Sequence, residues 1–178
     1  MELIRDIDYM GDGMACHFMD IYRGKKHDKK HDKKLPIMFN LHGGGFLLGK
    51  KEESHLFCAE MSQKGFLVFS LEYPLAPESL FPQIKGIKNS RVYFQKYNGD
   101  EERIYLTGTS AGASLCVYLA AMMQSPELAD VFGVVPADLG IRAMGLASGM
   151  YYTTKMDSIG IFLPSCIYGK GWKKSSFY

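Results

Sequence analysis

The stretch RIYLTGTSAGASLCVYLAAMMQ, Arg103 to Gln124, changes character at Ser110. Before it, Ile104, Tyr105, Leu106 and Thr107 are β-prone and mostly apolar, which predicts a short buried strand over Arg103–Thr107. After it, Ala111 to Gln124 is strongly apolar and free of proline, which predicts a buried helix. Between the two lies Gly108-Thr109-Ser110-Ala111-Gly112, a GxSxG pentapeptide in a strand-to-helix setting. A serine hydroxyl is a weak nucleophile at its ordinary pKa, so chemistry at Ser110 requires exposure beside a base and beside donors for the developing charge. A sharp turn supplies the exposure, and Gly108 and Gly112 leave room for its backbone. The unpaired amides at the start of the helix face the same place. A plain glycine-bounded helix start is the simpler alternative, and the flanking strand and helix argue against it.

Working upstream, Leu35 to Leu41 is a continuous apolar run, as in a strand buried on both faces, and it ends in His42, Gly43, Gly44, Gly45 and Phe46. Consecutive glycines let backbone amides point into a cavity without obstruction. Such amides can hold an oxyanion, together with the amide of Ala111 after the serine. A dinucleotide fingerprint starting at Gly43 would need glycine where Leu48 stands, and no GxxxxGK[ST] loop occurs.

The same alternation covers most of the chain. Leu3–Met10 and Cys16–Tyr22 predict an opening antiparallel hairpin, separated by Gly11, Asp12 and Gly13. Glu52–Lys64, with Leu56, Phe57, Ala59 and Met61, predicts an amphipathic helix stopped by Gly65. Phe66–Leu71 predicts a buried strand, and Pro74, Pro77 and Pro82 a rigid connection to a helical stretch from about Gln83 to Tyr97. Ile141–Ala147 predicts one more strand. Strands alternating with helices imply an α/β fold, a mostly parallel sheet covered by helices on both faces. No Gly/Ser/Pro linker divides residues 1–178, which read as a single domain with a charged low-complexity loop at 23–34.

Composition narrows the function classes. The chain has 178 residues, 47% of them hydrophobic, enough to bury a sizeable core. Its net charge of +2 conceals a local excess, six lysines against two aspartates in the tandem repeat KKHDKKHDKK of Lys25–Lys34. The rest of the chain is slightly acidic, so no electrostatic case for nucleic acid exists. His27 and His31 stand at i, i+4 like metal ligands, but among six lysines and without a third ligand they read as part of a solvated loop. The scattered cysteines Cys16, Cys58, Cys116 and Cys166 suggest a reducing compartment. Neither a continuous apolar leader nor an apolar stretch of about 18 residues occurs. These features imply a cytoplasmic protein with no membrane partner.

HGGGF at 42–46, YPLAPE at 73–78 and GTSAGA at 108–113 resemble the HGGG, YRLAPE and GDSAGG motifs of the hormone-sensitive-lipase-like esterases of the α/β-hydrolase superfamily. The resemblance implies an α/β-hydrolase fold and a carboxylic ester hydrolase that needs neither metal nor organic cofactor. It implies Ser110 as nucleophile and Gly44, Gly45 and Ala111 as the oxyanion hole. His42, Gly43, Gly108 and Gly112 support the motifs, and Phe46 lines the acyl pocket or serves as a core aromatic. Thr109, Ala113 and Pro74 stand where the family often has Asp, Gly and Arg, which leaves the ester class open.

One expected group is missing. In this superfamily the acid and then the histidine follow the serine, yet His17, His27, His31, His42 and His55 all precede Ser110. His42 reads as a brace of the glycine turn rather than the base. Glu127, Asp130, Asp138 and Asp157 do not sit where the family's acid follows a late strand, and none is assigned. The expectation is a hydrolase domain lacking its last strands, short by about 60 residues or more. Such a chain would bind a small-molecule ester yet be inactive alone, and it could self-associate through an exposed sheet edge. An amidase or formamidase of the same superfamily, or a non-catalytic binding protein retaining the cleft, are the alternatives.

Overall fold

The computed structural model describes residues 1–25, 33–76, 89–131, 135 and 139–152. Expectations that fall on His27, His31, Pro77, Pro82, Asp138, Asp157, Cys166 and most of the lysine tract lie outside the described residues.

Six strands form one sheet in the order β1-β2-β4-β3-β5-β6. They are β1 (Glu2–Asp8), β2 (Phe18–Arg23), β3 (Leu35–Leu41), β4 (Leu67–Leu71), β5 (Gly99–Thr109) and β6 (Ile141–Ala147). β1 runs antiparallel to β2 and β2 antiparallel to β4, whereas β4, β3, β5 and β6 are mutually parallel. The hairpin and the mostly parallel sheet therefore follow the expectation. β3 and β4 are buried on both faces, as continuous apolar runs require.

Four α-helices complete the described architecture: α1 (His55–Gln63), α2 (Arg91–Lys96), α3 (Ala111–Gln124) and α4 (Pro126–Val131). The larger apolar cluster joins Ile37, Phe39, Leu41, Phe69 and Leu106 of the sheet to Phe94 of α2 and Leu115, Leu119 and Met122 of α3. On the opposite face Tyr22, Met38 and Val68 pack with Cys58 of α1. Helices thus cover both faces. None of the described helices is long and apolar enough to cross a membrane.

Three local departures from the expectation have simple causes. β5 begins at Gly99 rather than Arg103, because Gly99 and Asp100 pair with Leu35 and Pro36 before a register irregularity absorbs the next residues. Asp100, Glu101 and Glu102 hid this start from the apolar pattern. α1 begins at His55 after a 3-10 turn over Lys51–Ser54, and it buries Cys58 and Ser62 rather than Leu56, which is 83% exposed, or Phe57. Cys58 and Ser62 stand one turn apart, and the Ser62 hydroxyl is satisfied by donating to the Ala59 carbonyl at 2.7 Å. Of the predicted Gln83–Tyr97 helix, α2 is the part that falls on described residues, and residues 83–88 lie outside them. Finally, α4 is initiated by Ser125, whose Oγ accepts from the Leu128 amide at 3.2 Å, with Pro126 in the first position.

The end of α1 does follow the expectation. Gly65 has φ +102°, the Gly65 amide donates to Ser62 O and the Phe66 amide to Met61 O, both at 3.2 Å, which is a Schellman termination.

Candidate functional site

Ser110 joins β5 to α3 and has φ 53° and ψ −117°, a backbone conformation that a residue with a side chain rarely adopts. Its neighbours make that geometry sterically feasible. A Cβ on Gly112 would collide with the carbonyl oxygens of Leu41 and His42, and one on Gly108 with the Gly112 carbonyl. The start of α3 is thereby pressed against the end of β3, where the glycine loop begins. The Ser110 amide donates to the Ala147 carbonyl at 2.7 Å, tying the turn to the end of β6. Ser114, one turn along α3, links the helix to the chain beyond β6 through Met150: its Oγ accepts from the Met150 amide at 2.8 Å and donates to the Met150 carbonyl at 2.9 Å.

The glycine loop lies beside the serine. A Cβ on Gly43 would stand 3.5 Å from Ser110 Cβ and a tight 3.1 Å from Thr109 O, so the glycine loop runs directly against the serine turn. Gly44 has φ +117°, and its carbonyl accepts from the amides of Leu47 and Leu48. No hydrogen bond among the described residues occupies the Gly44 or Gly45 amides. Ala111, fully buried, is the first residue of α3 and so contributes an amide with no partner inside the helix. The structure thus brings Ser110, Gly43 and the start of α3 together. Phe46, at 1% exposure, belongs to the main apolar cluster, and its carbonyl accepts from the Ala76 amide at 2.7 Å.

His42 is buried and braces this loop. Its Nδ1 meets Gly43 O at 2.7 Å, its Nε2 meets Glu72 Oε1 at 2.8 Å, and its ring stacks on Tyr73 with centroids 4.2 Å apart. The Tyr73 hydroxyl donates to His42 O at 2.8 Å, and burial holds its pKa well above the ordinary phenol value, so it remains a donor. Among the other described histidines, His17 pairs with Asp12 at 2.8 Å, and His55 shares a hydrogen bond with Tyr22. None of these contacts includes Ser110.

Sequence reasoning missed Glu72, Tyr73 as a brace, Ser114 and the buried Lys51. The Lys51 ammonium, 4% exposed, contacts Asp20 Oδ1 at 3.0 Å, Asp6 Oδ1 at 2.9 Å and Glu52 Oε1 at 2.6 Å. Burial alone would lower its pKa, but the three carboxylates outweigh that and hold it above the ordinary lysine value. The legible signal was weak: a lysine directly after the glycine loop and an acid inside the apolar strand β2. A cavity of about 540 Å³ adjoins this cluster, lined by Cys16, Phe18, Gly49, Lys51, Tyr73 and Leu75, without Ser110. Burial pushes the Cys58 and Cys116 thiols up to about 12, which makes them packing groups rather than nucleophiles. Among the described residues no group of three or more His, Cys, Asp or Glu side chains could hold a metal ion.

A family profile described as BD-FAE matches residues 19–136. The chain is 32% identical over 114 residues to versiconal hemiacetal acetate esterase of Dothistroma septosporum, covering 58% of this chain and 35% of that protein. It is 27% identical over 160 residues to esterase LipQ of Mycobacterium tuberculosis, covering 86% of this chain and 37% of that protein. A crystal structure of esterase B from Lactobacillus rhamnosis, inhibited by a tributyrin phosphonate, superposes with a TM-score of 0.82 at 21% identity, over 97% of this chain and 57% of that one. The chain therefore has the α/β-hydrolase fold of these esterases, and it spans little more than a third of the length of the curated relatives it matches.

Proposed function

Because the chain belongs to the BD-FAE family, we propose that its strained serine turn is the acyl-transfer site of a carboxylic ester hydrolase. Ser110 is the nucleophile in this reading. Its Oγ attacks the ester carbonyl carbon, its proton passes to a base, and the carbonyl oxygen becomes an oxyanion held by the amides of Gly44, Gly45 and Ala111. Collapse breaks the bond to the alcohol oxygen, which leaves with a proton, and water then hydrolyses the acyl-Ser110 ester by the same route. The observation that carries the reading is the φ 53°, ψ −117° conformation of Ser110 against the glycine loop, a strain of about 1–3 kcal/mol that packing alone does not require. The esterases among the relatives support the chemical class.

No described histidine contacts Ser110, and the remaining two, His27 and His31, lie in the lysine tract. The 178 residues alone should therefore show no Ser110-dependent turnover, since loss of the histidine in a serine hydrolase costs about a million-fold. Joining the chain to the carboxy-terminal portion of an esterase relative should restore hydrolysis of p-nitrophenyl acetate, and Ser110→Ala should abolish it. A hybrid that folds but stays inactive, or activity indifferent to Ser110→Ala, would overturn the reading.

A further inference from the structure

One carboxylate holds both ends of the glycine loop. Glu72, the residue after β4, accepts at Oε1 from His42 Nε2 at 2.8 Å and at Oε2 from the Lys51 amide at 3.0 Å. Ser70 and Tyr73 on either side of it add bonds to Lys51 O and His42 O. The loop from His42 to Lys51 is therefore clipped to the segment 70–73 at its start and at its finish.

The bond pattern at His42 goes further than bracing. Its Nδ1 faces a carbonyl oxygen, which can only accept, so Nδ1 carries a proton. Its Nε2 faces a carboxylate that already accepts from the Lys51 amide on its other oxygen. A proton therefore lies between Nε2 and Oε1 as well. The acceptor at Nδ1 is Gly43 O, and that oxygen belongs to the same planar peptide group as the N–H of Gly44. A donor at the oxygen draws electron density across the C–N bond and makes the N–H more acidic and a stronger donor. Charge on the imidazole strengthens the donor at its source.

We propose that Glu72 is a positioning residue for the oxyanion hole: it keeps His42 protonated on both nitrogens, and His42 in turn polarises the Gly43–Gly44 peptide, so that the Gly44 amide is presented as a strengthened donor. This rests on the reading of Gly44 as an oxyanion donor. The relay itself can be tested on the 178-residue chain without catalysis.

The measurement is nitrogen NMR of the labelled chain, following the His42 ring and the Gly44 amide. In the unaltered protein both ring nitrogens should resonate as protonated, and the Gly44 amide proton should lie downfield. Glu72→Gln can satisfy both neighbours, its oxygen accepting from Lys51 and its amide donating to Nε2, but it supplies no proton to hold. It should move Nε2 to the unprotonated range and shift the Gly44 amide upfield. Ser70→Ala, which cuts the clip only at Lys51 O, should leave Gly44 in place. A bare Nε2 in the unaltered chain overturns the proposal, and that observation needs no variant to fold. An unmoved Gly44 in folded Glu72→Gln overturns it too, as does an equal Gly44 shift in Ser70→Ala, because a purely mechanical clip would act that way. An intact relay in a folded hybrid without turnover would overturn the role at an oxyanion hole together with the esterase reading, and a broken relay in an active hybrid would overturn this proposal alone.

Discussion

Ser110 holds φ 53° because Gly108 and Gly112 let α3 approach the ends of β3 and β5 and because its amide is fixed by Ala147 O. Strain of this kind is removed by a residue without Cβ. Ser110→Gly should therefore raise the urea midpoint by the equivalent of about 1 kcal/mol, whereas Gly112→Ala should lower it by about 3 kcal/mol or more. A neutral effect of Ser110→Gly would mean that the turn is not strained. Lys51 sets a second residue-scale expectation. Asp20, 1% exposed, has the Lys51 ammonium as its ionic partner. Lys51→Met should destabilise by about 3–5 kcal/mol, because it leaves a buried carboxylate without its cation. The raised lysine pKa gives this contribution a sign with pH. It is fully present below the ordinary value of 10.5 and is lost only as pH rises through the still higher folded value. Equilibrium unfolding at neutral pH, with the charge-preserving Lys51→Arg alongside, measures it.

At the scale of elements, the β1–β2 connection is organised by Asp8. Its carboxylate accepts from the amides of Gly13 at 2.7 Å, Gly11 at 2.6 Å and Met10 at 3.0 Å, and these bonds hold its pKa below the ordinary 3.8. A depressed carboxyl stabilises the fold above its unfolded pKa and loses that effect as pH falls through the folded value. The difference in melting temperature between the unaltered chain and Asp8→Ala should be full at pH 6 and shrink below about pH 3.8. A difference that persists unchanged at pH 2 would mean that the side chain acts through packing instead. The helix α1 shows a limit of element-scale reading. Apolar residues predicted its existence, yet the fully buried positions of α1 are Cys58 and Ser62, while Leu56 and Phe57 remain exposed.

For the molecule as a whole, the described sheet has two edges. β2, β4, β3 and β5 are flanked on both sides, whereas β1 and β6 each pair along one side only, and β6 is the edge beside the serine turn. Met144 is 41% and Leu146 36% exposed on this strand. Unpaired strand edges bearing apolar side chains are templates for association. Sedimentation velocity should show concentration-dependent association of the 178-residue chain, weakened by Met144→Lys on β6. A monodisperse monomer at all concentrations would show that the edge is covered.

Four features of this protein follow from local residue order. The turn at Ser110 and the helix after it could be placed by reading alone, because GxSxG between an apolar strand and an apolar helix confines the backbone through sterics acting within a few residues. The helix came out at Ala111–Gln124 as expected. The same holds for β6 at Ile141–Ala147 and for the glycine loop after β3, where apolar run length and consecutive glycines are local properties. What only the tertiary structure decided is which polar groups meet. Glu72 reaches His42 and Lys51, and Lys51 reaches Asp6 and Asp20, because parallel pairing of β3 with β4 and antiparallel pairing of β2 with β4 bring their chain ends together. No periodicity marks such pairs, since hydrogen bonding and charge pairing act over a few ångströms in space between residues tens of positions apart in the chain. The frame of the candidate site was therefore legible in the residues themselves, and the wiring behind its oxyanion loop emerged only when the strands were laid side by side.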